Sequence, residues 1–181
     1  LMKFLVFDLE ATCWDINPQQ YRSEIIEIGA CIVNPYGEIE KTFSKFIKPV
    51  LNPTLSVYCR HLTSIQQSDV DVAKSFPKVF DEFMEWAEIP DQDYVFCAWG
   101  SKDLMMIESD SDIHRYDVSW FRPYVDVKSQ YHSRRNISKT NGLAKTLKLL
   151  NLEFEGEAHR ALSDAYNLSK IIVRYIDEWS Y

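Results

Sequence analysis

Glycine is scarce, with five residues in a chain of 181, at positions 29, 37, 100, 142 and 156. Spread so widely, they cannot build the glycine-rich loop that cradles a nucleoside triphosphate, and that class of site is excluded. The four cysteines, Cys13, Cys31, Cys59 and Cys97, lack the C-x-x-C spacing of a zinc site and stand mostly among apolar neighbours. Buried thiols in a reducing cytosol fit this pattern. No apolar run approaches the ~20 residues of a membrane-spanning helix. The opening from Leu1 to Leu9 is broken by Lys3 and Asp8 and lacks a small-residue cleavage site, so a cytoplasmic protein without membrane contact is expected. The chain opens on Leu1 and not on Met, which leaves room for an upstream extension. Positive charge is also in deficit, with 20 Lys and Arg against 27 Asp and Glu and a net charge of −7. Coating of nucleic acid by bulk electrostatics is excluded, while a local basic track is not. No Ser–His–Asp hydrolase signature, internal repeat or low-complexity linker is present.

The length and the 46% hydrophobic content suit one substantial core, and a single domain over residues 1–181 is expected. Lys3 to Asp8 is a continuous apolar strand, the kind covered on both faces, and is predicted to be central. Glu24 to Asn34 and Glu38 to Ile47 are β-rich and joined by Pro35-Tyr36-Gly37, which predicts an antiparallel hairpin. Short helical turns are expected over Leu55 to Gln66. A helix over Phe76 to Ala87 has Phe76, Val79, Phe80, Phe83 and Ala87 as its apolar face. A strand over Tyr94 to Ala98, a helix over Ser101 to Ser109, a strand over Tyr124 to Val127 leading into a helix, and a helix over Asn141 to Leu150 follow. Ala161, Ala165, Leu168, Ile172, Tyr175 and Trp179 mark a long final helix at spacings of three and four. The expected fold class is α/β, a mixed sheet with an antiparallel hairpin plus parallel strands, flanked by helices.

Asp8 and Glu10 are two residues apart, so on a continuing strand they project from one face where the buried run ends. Two carboxylates packed there repel, and a hard divalent cation with oxygen ligands, Mg²⁺ or Mn²⁺, would relieve the repulsion. An isolated D-x-E is equally the mark of two solvated residues at a strand end, so further acids have to converge on it. Asp103 follows the strand at Tyr94 to Ala98 and falls in the first turn of the next helix, at another strand exit. Asp164 lies beside the buried stripe of the last helix, and His159, five residues earlier on the preceding loop, could approach the same place. His61, His114 and His132 belong to no such constellation and are expected at the surface or in loops.

These residues, in this order, resemble the DEDD exonucleases of the histidine subclass, the DnaQ-like or RNase T-like superfamily. The first motif stands as Phe7-Asp8-Leu9-Glu10-Ala11-Thr12, the second acid as Asp103, and the third motif as His159 and Asp164 with the H-x4-D spacing. The tyrosine subclass would need Tyr at position 160, which is Arg160. The resemblance spans nearly the whole chain and implies an RNase H-like fold and a 3′-to-5′ exonuclease. It implies that Asp8, Glu10 and Asp164 ligate the tighter of two Mg²⁺ or Mn²⁺ ions, that Asp8 bridges to the second ion, and that Asp103 holds the second. His159 would be the general base, so activity is expected to rise as its imidazole loses its proton. The chemistry is consistent, since two metals ~3.5–4 Å apart can activate water and stabilise both in-line oxygens at phosphorus.

Proofreading DNA exonucleases of this superfamily carry Asn four residues before the second acid, where this chain has Trp99. The first motif extended to Cys13, Ser23-Glu24-Ile25-Ile26-Glu27-Ile28 and Leu55-Ser56-Val57-Tyr58-Cys59 are similar to the exoribonuclease branch that trims histone-messenger and small-interfering-RNA 3′ ends. The resemblance implies single-stranded or 3′-overhang RNA as substrate, with DNA possible. Leu9, Glu10, Ala11 and Thr12 would lie against the terminal nucleotide, and Tyr58 and Trp99 would pack around its base, a contact that suits any base because each has a π face. Core packing is the plain alternative for those two aromatics. Lys128, Arg134, Arg135, Lys139, Lys145 and Lys148 lie in a stretch with no Asp or Glu, and this segment is expected to track phosphates. The rivals on the same residues are a DNA exonuclease, an oligoribonuclease, and a catalytically silent RNA-binding module. The last would be expected to have lost a ligand, and all five residues are present.

Overall fold

The computed structural model describes residues 2–16 and 20–181. Three strands come first, β1 (Lys3–Ala11), β2 (Ile25–Val33) and β3 (Ile39–Phe46), then three helices, α1 (Val57–Thr63), α2 (Gln67–Asp71) and α3 (Phe76–Ala87). An alternating half follows: β4 (Tyr94–Ala98), α4 (Lys102–His114), β5 (Tyr124–Asp126), α5 (Val127–Arg134), α6 (Leu143–Leu149) and α7 (Ala161–Arg174). The strands form one sheet in the order β3-β2-β1-β4-β5, with β1 in the middle as its apolar run requires. β2 and β3 make the expected antiparallel hairpin, β1 pairs antiparallel with β2, and β4 and β5 add in parallel. The sheet is mixed and flanked by helices.

The period-two alternation of β1 divides the core into two layers. Leu5, Phe7 and Leu9 pack with Phe76, Phe80 and Phe83 of α3 and with Ile107 of α4. Phe4 and Val6 point the other way, to Leu168, Ile171 and Ile172 of α7 and Leu147 of α6. All five apolar positions assigned to α3 are buried, and Phe76, Val79, Phe80 and Phe83 each stabilise by roughly 1.5–3 kcal/mol relative to exposure. The edge strand β3 carries Lys41 and Lys45 outward, which discourages pairing with another chain.

Several boundaries differ from the sequence reading. The helix expected to stop at Ser109 continues to His114, and α2 is an additional short helix closed by a reciprocal cap between Gln66 and Asp69. α7 ends at Arg174, so Tyr175 and Trp179 are not helical; Trp179 reaches the core from the tail, where its indole N–H donates to the Ile172 carbonyl at 3.0 Å. A buried aromatic at helical spacing does not require the helix to reach it. Cys31, Cys59 and Cys97 are buried free thiols as expected, while Cys13 is half-buried. Among the described residues no helix is long and apolar enough to cross a membrane.

Candidate active site

β1 outruns its parallel neighbour. The register of β1 with β4 covers Lys3–Val6, whereas the antiparallel register with β2 continues to Ala11. Past Val6 the β4 side of β1 is open, and Asp8 and Glu10 stand at that opening, on the face that α7 covers. Beyond β4 the chain passes through Gly100, whose φ of 118° belongs to glycine, and α4 then begins with Asp103 in its first turn. Asp103 is buried, and the amides of Leu9 and of its own residue pull its carboxyl down against that burial. The divergence of β1 from β4 is what frees the Leu9 amide for this acid.

The fourth acid arrives because α7 comes unusually close to β2. Gly29 is the register partner of Asp8, and a Cβ built on it would lie 2.1 Å from the Leu162 nitrogen and 2.3 Å from the Ala161 carbonyl carbon. Only glycine lets the first turn of α7 rest directly on the sheet there. His159 precedes that turn at φ 62°, and its amide donates to an Asp164 carboxylate oxygen at 3.1 Å. Glu10, His159 and Asp164 thereby offer ligand atoms that all lie within 4.8 Å of one another. His159 itself is exposed.

The electrostatics are those of acids without a counterion. Burial, then the charges of Asp103, Asp164 and Glu10, hold Asp8 well above the usual carboxylate range. Burial and the neighbouring Asp164 push Glu10 up to about 8. Burial raises Asp103 to about 7 against the pull of its amide donors, and Asp164 to about 6 against the pull of His159. The ion pairs among the described residues include none of the four. An all-carboxylate set with one imidazole at its edge, each acid raised chiefly by burial, fits a hard divalent cation.

A cleft of about 280 Å³ opens on this group, and its lining combines Asp8, His159 and Asp164 with Trp99, Leu143, Lys145 and Phe154. Trp99 therefore faces the site. Tyr58 is 41% exposed, so it is not core packing. Leu9 and Thr12 are buried, and the Thr12 hydroxyl accepts the Glu24 amide at 2.9 Å. Ala11 ends β1 half-exposed. The basic segment is divided: Lys145 lines the cleft, and Arg134 donates to the Ser180 hydroxyl at 2.6 Å. Arg135 pairs with Glu178 at 3.0 Å and stacks on Tyr131 and Tyr175, which commits it to the C-terminal tail.

His132 is 1% exposed, against the expectation of a surface or loop residue. The sequence offered no sign of this, since both of its bonds go to backbone. His114 is half-buried and stacked on Phe76 at 5.2 Å, while His61 is exposed as expected. Glu27 and Arg160 were missed as a pair. Glu27 is 1% exposed and is the register partner of Glu10; it takes the Arg160 guanidinium at 2.9–3.3 Å and the Ala161 amide at 3.2 Å. A lone acid inside the apolar run Ile25-Ile26-Glu27-Ile28 was the available signal, because such a residue needs a cation.

The exonuclease family model of the RNase T type matches residues 5–172. The 3′-5′ exoribonuclease 1 of Rattus norvegicus is 29% identical over 182 residues, which cover 96% of this chain and 52% of that protein. The 3′-5′ exonuclease eri1 of Schizosaccharomyces pombe is 31% identical over 211 residues, covering 98% of this chain and 69% of that one. Among solved structures, the nuclease domain of 3′hExo, a DEDDh family member bound to rAMP, superposes with a TM-score of 0.89 at 28% identity, covering 97% of this chain and 92% of that one. This chain spans about half the length of the mammalian relatives it matches. It belongs to the RNase T exonuclease family, on the DEDDh branch that holds the exoribonucleases.

Proposed function

We propose that this chain is a metal-dependent 3′-to-5′ exoribonuclease domain that removes nucleoside 5′-monophosphates from RNA ends. The observation that carries the reading is the convergence of Glu10, His159 and Asp164 within 4.8 Å, beside the raised carboxyls of Asp8 and Asp103. Asp8, Glu10 and Asp164 would hold one divalent cation, with Asp8 and Asp103 holding a second. When bound, Mg²⁺ or Mn²⁺ supplies positive charge for the attacking water and for the oxygens at phosphorus. The unprotonated ring nitrogen of His159 takes the proton of that water. Its exposure on a loop, with its backbone amide fixed by Asp164, lets the ring reach the scissile phosphate.

RNA is favoured as substrate by the names of the relatives and by Trp99 in the cleft wall. Trp99 and the exposed Tyr58 would pack on the terminal base, with Glu10 and Ala11 against its sugar. Leu9 and Thr12, whose side chains point inward, would meet a nucleotide only through backbone atoms. Lys145, which lines the cleft, would follow the phosphates, together with Lys128 and Arg134. Arg135 contributes to the same field, although its guanidinium is tied to Glu178.

The test is incubation of 3′- and 5′-labelled single-stranded RNA, stem-loop RNA and single-stranded DNA with Mg²⁺ or Mn²⁺, beside an Asp8→Asn control. Stepwise loss from the 3′ end, faster on RNA, is expected. Internal fragments, or equal cleavage by the control, would overturn the assignment. An identical pH profile in His159→Ala with residual activity would remove His159 from the base role.

A further inference from the structure

The part of the cleft lining that holds Trp99 is anchored on the backbone of one residue, Asn141. The indole N–H of Trp99 donates to the Asn141 carbonyl at 3.2 Å, and the Asn141 amide donates to Nε2 of His132 at 3.0 Å. The other ring nitrogen, Nδ1, lies 2.7 Å from the Lys128 carbonyl, four residues back on α5. A carbonyl can only accept and an amide N–H can only donate. Both bonds are therefore met by one form of the ring, the neutral tautomer with its proton on Nδ1. The imidazole also packs edge-on against Trp99, with centroids 5.8 Å apart. Asn141 is followed at once by Gly142, the N-cap of α6, and by Lys145 on its first turn.

We infer that His132 is a positioning residue for substrate: through the N–H and C=O of Asn141 it fixes the Trp99 ring and the start of α6 as the wall on which the terminal nucleotide packs. It touches neither substrate nor the reacting atoms. The inference rests on the exoribonuclease reading for its substrate, while the latch itself is a property of the fold. A buried acceptor at this place has a defined consequence. Its loss leaves the Asn141 amide without a partner, frees the loop from Asn136 to Asn141, and lets the indole leave the base-packing position. The carboxylates, on β1, α4 and α7, and His159, on the loop before α7, bond to neither His132 nor Asn141 and keep their geometry. Binding of substrate is weakened while the chemical step is spared.

Two substitutions separate the two bonds of the ring. In His132→Asn, the side-chain amide reaches the place of Nδ1 and keeps the bond to Lys128 but not the one to Asn141. In His132→Gln, the longer side chain reaches the place of Nε2 and restores an acceptor for Asn141. Amide exchange at Asn141, and KM and kcat on a labelled single-stranded RNA with Mg²⁺, are measured for both. In His132→Asn, exchange and KM are expected to rise by about tenfold with kcat within about twofold; in His132→Gln, both return to within about threefold of the parent.

Equal damage in the two variants, a loss in kcat in place of a rise in KM, or no change in either would overturn the inference. Should His132→Asn fail to fold, amide exchange at Asn141 in the parent and in His132→Gln decides the matter, and an Asn141 amide no better protected than the amides of the loop around it would overturn the inference. If the parent chain degrades no RNA, the exoribonuclease reading falls, and Asn141 exchange in the two variants alone decides whether the latch exists.

Discussion

Glu10 and Glu27 are neighbours in the β1–β2 ladder, yet they live in opposite electrostatic worlds. Glu27 has its cation built in: the Arg160 guanidinium meets it with two nitrogens, and the Ala161 amide adds a third donor. Glu10 has none. It faces Asp8, Asp103 and Asp164, and its carboxyl is pushed up to about 8. Glu27 is the more deeply buried of the two, so depth in the fold does not account for the difference. It lies in where the compensating charge comes from. At Glu27 the chain supplies it and the junction is structural; at Glu10 no ion pair among the described residues supplies it, which is what the proposed divalent cation would do.

The sharpest way to break this contrast is Asp8→Asn, which removes one carboxylate from the uncompensated side. Nuclease activity is expected to fall by at least about 10³-fold. Yet the metal-free chain should melt higher than the parent at pH 8, since one repelling charge is gone. Lower stability together with lost activity would mean that Asp8 is structural. Next in size is Gly29→Ala, which strikes both sides at once by lifting α7 off β2. With backbone only 2.1 Å from the new methyl, a loss of about 3 kcal/mol is expected in urea unfolding.

On the compensated side, Arg160→Met leaves Glu27 buried without its partner. Breaking a buried pair costs about 3–5 kcal/mol, and the 30% exposure of Arg160 reduces the expectation to about 2 kcal/mol. The double variant Glu27→Gln/Arg160→Met should recover most of that. If the double variant is no better than the single one, the pair is not where the stability resides.

A pH series separates the two sides without mutation. Asp164, Asp103 and Glu10 are raised in the folded chain to about 6, 7 and 8. Their unfolded values are near ~4. The folded chain therefore holds more protons, and the metal-free protein loses stability as pH rises from about 4 through this range. Bound Mg²⁺ or Mn²⁺ replaces those protons, so the rise in Tm on adding metal should be larger at pH 8 than at pH 6. Equal shifts at the two pH values would detach the raised carboxyls from metal binding. The smallest effect is expected from Arg134→Ala, which should weaken RNA binding several-fold and reduce the slope of log K against log salt by about 1.

Much of this was legible in the residues. The continuous apolar run of β1 placed it at the centre, the five apolar positions of α3 at helical spacing became its buried face, and Pro35-Tyr36-Gly37 marked the hairpin. Asp8, Glu10, Asp103, His159 and Asp164 were identifiable because acids at strand exits, in a fixed order, leave a pattern in the sequence. His132 was not, since its partners are a carbonyl and an amide that every residue possesses. The end of α7 was not legible either, because Trp179 is buried by a tail that folds back and not by another helical turn.

The sequence by itself determined which residues carry charge and which strands must be covered, because hydrophobic burial and strand periodicity are local properties of residue order. Only the tertiary structure decided which acids receive a cation from the chain. That choice depends on α7 crossing β2 at Gly29, which sets Arg160 on Glu27 and Asp164 beside Glu10, a contact between segments more than a hundred residues apart that no local spacing can encode.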